Sequence, residues 1–179
     1  MPKRIENLRE SIVTSARAAL LAEGYDALAI RSVAADCGIA VGTVYNYFPS
    51  KDMLAAAVML DDWLQTLERM RRSCRRAACL SEAMDALYAG VTAFRGRYGG
   101  VWAGYTFSEK ARSEYGERHK LLVRQLADCL NPLLERLAAA DAGDTAVFLA
   151  ENLLICADGS EMSYGSFLRI AEKLLSSSH

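Results

Sequence analysis

Thr43, Tyr45, Asn46 and Tyr47 gather three hydroxyls and an amide within the stretch GIAVGTVYNYFPSKDML, residues 38–54, and Lys51 adds a cation just downstream. These groups share no covalent chemistry. They share hydrogen bonding at the end of a semi-rigid arm. Phenol and threonine hydroxyls reach phosphate oxygens, an asparagine amide pairs with an adenine edge, and a lysine neutralises a phosphate. Phe48 stands directly beside Tyr47, so the aromatic residues must be divided between burial and display. The elements that hold them decide which is which.

Helical spacing runs through the chain, and no stretch alternates polar and apolar residues as a half-buried strand would. Leu8, Ile12, Ala16, Ala19 and Leu20 recur at threes and fours, and Gly24 stands where a helix-ending residue belongs. Ile30, Val33, Ala34 and Cys37 predict a second, short helix ended by Gly38. A third runs from about Val41 to Phe48, where Pro49 stops it. Ser50 then caps a long fourth helix, with Asp52 in its positively polarised first turn. That helix is expected to pass Trp63 and reach the arginine cluster around residue 71. Further helices are expected over about 81–97, 101–114 and 117–139, and over about 144–175 with an interruption near DGSEMS. The fold class is all-α.

Ala34, Gly38 and Val44 have the spacing of a helix-turn-helix: a small residue for close approach, a glycine for the turn, an aliphatic to fill the angle. Val44 and Phe48, four apart, share the buried edge, which leaves Thr43, Tyr45, Asn46 and Tyr47 facing outward. Gly42 lets the backbone lie close to bases, and Lys51 sits beside the amino-terminal amides of the next helix.

The stretch GYDALAIRSVAADCGIAVGTVYNYFPSKDML, residues 24–54, resembles the DNA-binding segment of the tetracycline-repressor (TetR) family of bacterial transcriptional regulators. Gly24-Tyr25, Arg31, Ala34, Gly38, Gly42-Thr43, Tyr45, Tyr47-Phe48, Ser50-Lys51 and Leu54 fall on its pattern. The resemblance implies that Arg31, Thr43, Tyr45, Tyr47 and Lys51 touch the sugar-phosphate backbone, and that Val41, Gly42 and Asn46 lie nearest base edges. It departs at Leu28 and Ala29, where the family has Thr or Ser, and at Ala40, where it has Ser. Each change removes a cap worth about 1 kcal/mol. The family organisation implies a DNA-binding domain over 1–52 and a helical ligand-binding and dimerisation domain over 53–179.

Beyond residue 55 the chain carries no motif, only patterns. AVFLAENLLICA is apolar nearly all round, so it must be buried on two sides. In so short a chain a second subunit is expected on one of them, with Leu154 in the interface; the alternative is a single-chain core. The preceding helix offers Leu122, Leu126, Cys129, Leu130, Leu133 and Leu137 on one face. The family implication agrees: a homodimer through residues about 117–139 and 144–175. Residues 88–115 combine Tyr88, Phe94, Tyr98, Trp102, Tyr105, Phe107 and Tyr115 with five glycines. Two readings stand open: the filled core of the second domain, or an adaptable pocket for a small hydrophobic or aromatic ligand. In the pocket reading Trp63, Tyr88, Trp102, Tyr105 and Phe107 line it, and Glu109 and His119 orient the ligand. RMRRSCRRA reads as the solvated carboxyl end of a helix rather than an anion site.

Composition sets limits on function. A net charge of −1 gives no whole-molecule attraction for nucleic acid, so any DNA contact must come from a local patch. Five cysteines without metal-ligand spacing fit reduced thiols in the cytoplasm, and no metal or cofactor is expected. The amino terminus lacks the apolar run of a secretory signal, and no apolar stretch approaches the roughly 20 residues of a membrane span. An enzyme would have to build its centre from Glu109, Glu114 and His119, and no catalytic residue is expected. The leading expectation is a ligand-responsive homodimeric transcriptional regulator, a repressor, on double-stranded DNA. The alternative is a helix-turn-helix protein controlled by a protein partner.

Overall fold

The structure, a computed structural model, describes residues 7–104, 109–139, 141–159 and 161–176, with side chains for all of these except 100–104, 109–116 and 118. Among them eight helices and no strand occur: α1 Leu8–Ala27, α2 Ile30–Asp36, α3 Val41–Tyr47, α4 Lys51–Arg76, α5 Leu80–Gly104, α6 Glu109–Arg136, α7 Ala142–Ala157 and α8 Tyr164–Ser176. Packing divides the chain into two units. The first takes the chain to Leu64 and re-enters at Arg97 for the end of α5; the second takes Gln65–Gly96 and α6 to α8. The expected boundary after residue 52 falls in the first turn of α4.

In the first unit, α1 buries Ile12, Val13, Ala16 and Leu20 along one stripe. Gly24, at φ 83°, interrupts its regular backbone without the penalty a side chain would bring. Neither α2 nor α3 has a side-chain cap on its first turn, as Ala29 and Ala40 dictate. Leu28 is buried, so that position anchors the entry to α2 through packing. α2 buries Ile30, Val33 and Ala34 and ends at Gly38, φ 65°. There the Ile39 N–H donates to the Ala34 carbonyl and the Gly38 N–H to Ala35, the double bond that closes a helix end around a left-handed residue. Val44 and Phe48 are buried as the spacing predicts. Ser50 caps α4, its hydroxyl accepting from the Met53 N–H at 3.1 Å.

The second unit differs from expectation in its helix boundaries. α4 runs on to Arg76, α5 runs on from Leu80 to Gly104, and α6 starts at Glu109, so the helix expected over 101–114 is divided between α5 and α6. A glycine inside a helix costs about 1 kcal/mol relative to alanine, which packing readily offsets. Gly90 is used for proximity: a Cβ there would lie 2.4 Å from the Met70 sulfur. The arginine run is largely self-paired. Arg71 and Arg72 lie 3.3 and 3.7 Å from Glu68, and Arg69 donates to the Thr66 hydroxyl at 2.8 Å. Arg136 of α6 donates to the Arg75 and Ala77 carbonyls and so closes the end of α4. α6 packs on α7 and α7 on α8. Leu154, 8% exposed, belongs to this core and is not offered outward. The apolar residues that α7 shows to solvent are Val147, Phe148 and Ile155.

Candidate nucleic-acid interface

α3 is two turns long and is gripped from one side only. With Val44 and Phe48 turned into the unit, Tyr45 and Tyr47 are each nearly half exposed, and Asn46 is exposed between them. Gly42 is exposed at the amino-terminal end of the same helix, and Val41 and Thr43 are half-buried beside it. Arg31 is exposed on α2, which packs against α3. Seven of the eight expected DNA contacts therefore lie on this pair of short helices, and the eighth, Lys51, opens α4.

Lys51 also makes contacts within the unit that the sequence did not reveal. Its ammonium donates to the Asp26 carbonyl at 3.0 Å and lies 4.5 Å from the centre of the Tyr25 ring. The Tyr25 hydroxyl in turn donates to the Asp52 carboxylate. The Arg9 guanidinium lies 5.4 Å over the Phe48 ring. Together these contacts tie the end of α1 to the start of α4, and the start of α1 to Phe48 at the end of α3. They give the displayed tyrosines a fixed base, which keeps the ordering cost of a docked surface low.

Residues 12–58 match the family of bacterial regulatory proteins called the tetR family. The chain carries a tetR-family domain. The HTH-type transcriptional regulator UidR of Escherichia coli K12 is 30% identical over 71 residues, which are 40% of this chain and 36% of that relative. The match thus spans about a third of the curated relative's length. Two solved structures share the fold well beyond the tetR-family domain. A transcriptional regulator of the TetR/AcrR family from Thermobifida fusca has a TM-score of 0.57 at 18% identity, covering 95% of this chain and 97% of its own. The transcriptional regulator FadR of Bacillus subtilis, solved in complex with stearoyl-CoA, has a TM-score of 0.55 at 15% identity, covering 94% and 96%. At such identities the likeness is one of fold.

Outside the tetR-family domain, the expected ligand residues are divided between the two units. Trp63 is buried in the first unit. In the second, Tyr88 stacks on Tyr164 with ring centres 3.9 Å apart, and the Tyr164 hydroxyl donates to Asp85 at 2.7 Å. His119 is half-buried on α6. Trp102 and Glu109 lie on α5 and α6 with side chains outside the described set, and Tyr105 and Phe107 fall outside the described residues altogether. Among the described residues no cluster of His, Cys, Asp and Glu suits a metal ion. Burial pushes the thiols of Cys74 and Cys129 up to about 12 and about 11, which keeps them protonated and unreactive. No helix among the described residues is long and apolar enough to cross a membrane.

Among the described residues, one polar cluster is centred on a carboxylate that the motifs did not single out. Asp62 of α4 receives hydrogen bonds from Arg17, Arg97 and Tyr98. Its signal was legible: it falls four and eight residues after Val58 and Leu54, on the apolar stripe of its helix.

Proposed function

We propose that this chain is a homodimeric transcriptional repressor that binds a pseudo-palindromic duplex through α3 and releases it in response to a small apolar or aromatic ligand. The observation that carries the reading is the divided helix α3, with Val44 and Phe48 buried and Tyr45, Asn46 and Tyr47 displayed beside a bare Gly42. The tyrosines, Thr43, Arg31 and Lys51 serve as phosphate contacts, and Val41, Gly42 and Asn46 face base edges. Membership of the tetR family in this segment supports the assignment. The exposed Val147, Phe148 and Ile155 support an interface between copies on α7, with the exposed Leu121 of α6 and Leu137 just beyond its end. The stearoyl-CoA held by FadR, a protein of this fold, supports an apolar ligand. Trp63, Tyr88, Trp102, Tyr105 and Phe107 are the proposed walls and Glu109 and His119 the polar contacts. The mutual stacking of Tyr88 and Tyr164 favours the second reading, control by a protein partner.

Two substitutions separate positioning from reading. Lys51→Ala removes a phosphate contact and is expected to weaken binding to all duplexes alike, lowering the salt slope by about one. Asn46→Ala is expected to relax sequence preference at one position by about 1–3 kcal/mol without changing that slope. Fluorescence anisotropy across a salt series reads both. Equal effects of the two variants on every sequence would count against α3 as the reading element.

A further inference from the structure

Asp62 is 5% exposed, in register with the buried Leu54 and Val58, where a leucine would fit the stripe. It holds instead a charge bound from two other helices. From α1, the Arg17 Nε donates to Oδ1 at 2.7 Å, and the same guanidinium reaches the Asp61 carboxylate. From α5, the Tyr98 hydroxyl donates to Oδ2 at 2.5 Å and Arg97 Nη1 to the same oxygen at 3.2 Å. Tyr98 is fully buried, and all these residues belong to the first unit. Burial works against ionisation of Asp62; the Tyr98 hydrogen bond, the Arg17 charge and the bonds from Arg97 and Arg17 outweigh it and hold the carboxyl below its usual range.

A buried ion pair is a poor source of net stability, because desolvation offsets its attraction. What it adds over a leucine is direction. The carboxylate accepts along fixed lines and so sets the angles at which α1 and α5 meet α4. α2 packs on α1 and α3 packs on α2. The Arg17–Asp62 bond, beside the Lys51 and Tyr25 contacts at the other end of α1, therefore helps to set the orientation of the recognition helix.

We infer that Asp62 is a positioning residue for DNA recognition: bridging Arg17 of α1 and Tyr98 of α5, it fixes the attitude at which the helix-turn-helix is presented, so that both copies of a dimer fit one operator. The inference rests on the DNA-binding reading above and deepens it. Nothing in it requires Asp62 to touch DNA. A change at Asp62 leaves each recognition helix intact and alters the match between two of them.

The test uses the full-length protein and two probes: a duplex selected by the wild type from a random-sequence library, and the same duplex reduced to one half-site. Asp62→Asn removes the charge, and Tyr98→Phe removes one hydroxyl from a ring that keeps its volume. Both variants are expected to bind the full duplex roughly tenfold more weakly, within the range of about 5- to 150-fold typical of coupled sites. Half-site binding and helical circular dichroism are expected to match the wild type. If Asp62→Asn fails to fold, Tyr98→Phe alone carries the comparison. Wild-type affinity of Tyr98→Phe for the full duplex overturns the inference, and so does equal weakening on both probes, which assigns the cluster to folding alone. A wild-type protein that selects no duplex sinks the DNA-binding reading itself, before any variant is compared.

Discussion

Gly42→Leu is expected to weaken operator binding on the order of 100-fold or more while leaving the fold at least as stable. In the free protein nothing lies within 4 Å of the position a Cβ would take at Gly42. The residue sits inside α3 without a positive φ, so a side chain meets neither a clash nor backbone strain. Replacing glycine in a helix gains up to about 1 kcal/mol from propensity alone. Against DNA the sign reverses. Gly42 lies in the first turn of α3, where the backbone must come closest to the base edges, and a leucine there holds the helix off the groove. Each base contact is worth about 1–3 kcal/mol, and displacement of the helix forfeits more than one. A thermal melt and an anisotropy titration of the same preparation check both halves. Undiminished affinity would show that α3 does not enter a groove by this end. A falling melting temperature would show that the glycine serves the fold.

The second large effect concerns assembly. Phe148→Arg is expected to give a folded monomer at micromolar concentration and, with it, loss of high-affinity operator binding. Phe148 is 49% exposed and Ile155, two turns on along α7, 48% exposed, so a charge at either position costs the single chain little. At the centre of an interface an unmatched charge costs about 2–5 kcal/mol or more, enough to separate the subunits. Leu154→Arg is the control, because that side chain is 8% exposed within its own unit and its replacement should unfold the unit. Sedimentation velocity with circular dichroism distinguishes the outcomes. A wild type that sediments as a monomer, or a Phe148→Arg protein that stays dimeric, would contradict the assignment of α7.

The helix-turn-helix was legible because its determinants are local. Gly38 needs φ above zero, Val44 and Phe48 must share an edge, and Ser50 must cap the long helix α4; three short-range rules converge on one stretch. Helix limits were less legible where glycines invited a break. Gly90, Gly96 and Gly99 lie inside α5, and the close approach of Gly90 to Met70 depends on a neighbour twenty residues away in sequence. The Asp62 cluster was hidden for the same reason. Its partners at 17, 97 and 98 are set by tertiary packing, and the sequence offered only a carboxylate on an apolar stripe. Lys51 was recognised for its charge, but its bond to Asp26 and its place over Tyr25 arise from how α1 meets α4. Leu154 looked outward only because a helix apolar all round gives no sign of which face its own chain covers.

The central claim is that α3 reads duplex DNA as one of a symmetric pair. Selection from a random-sequence duplex library by the wild-type protein, with footprinting of the enriched sequence, tests it most directly. The account predicts a two-fold symmetric consensus with half-site centres one helical turn or a multiple of it apart, about 10–10.5 base pairs per turn, protected on successive major grooves. A pool that never enriches, or a single asymmetric site protected on one groove alone, would contradict it.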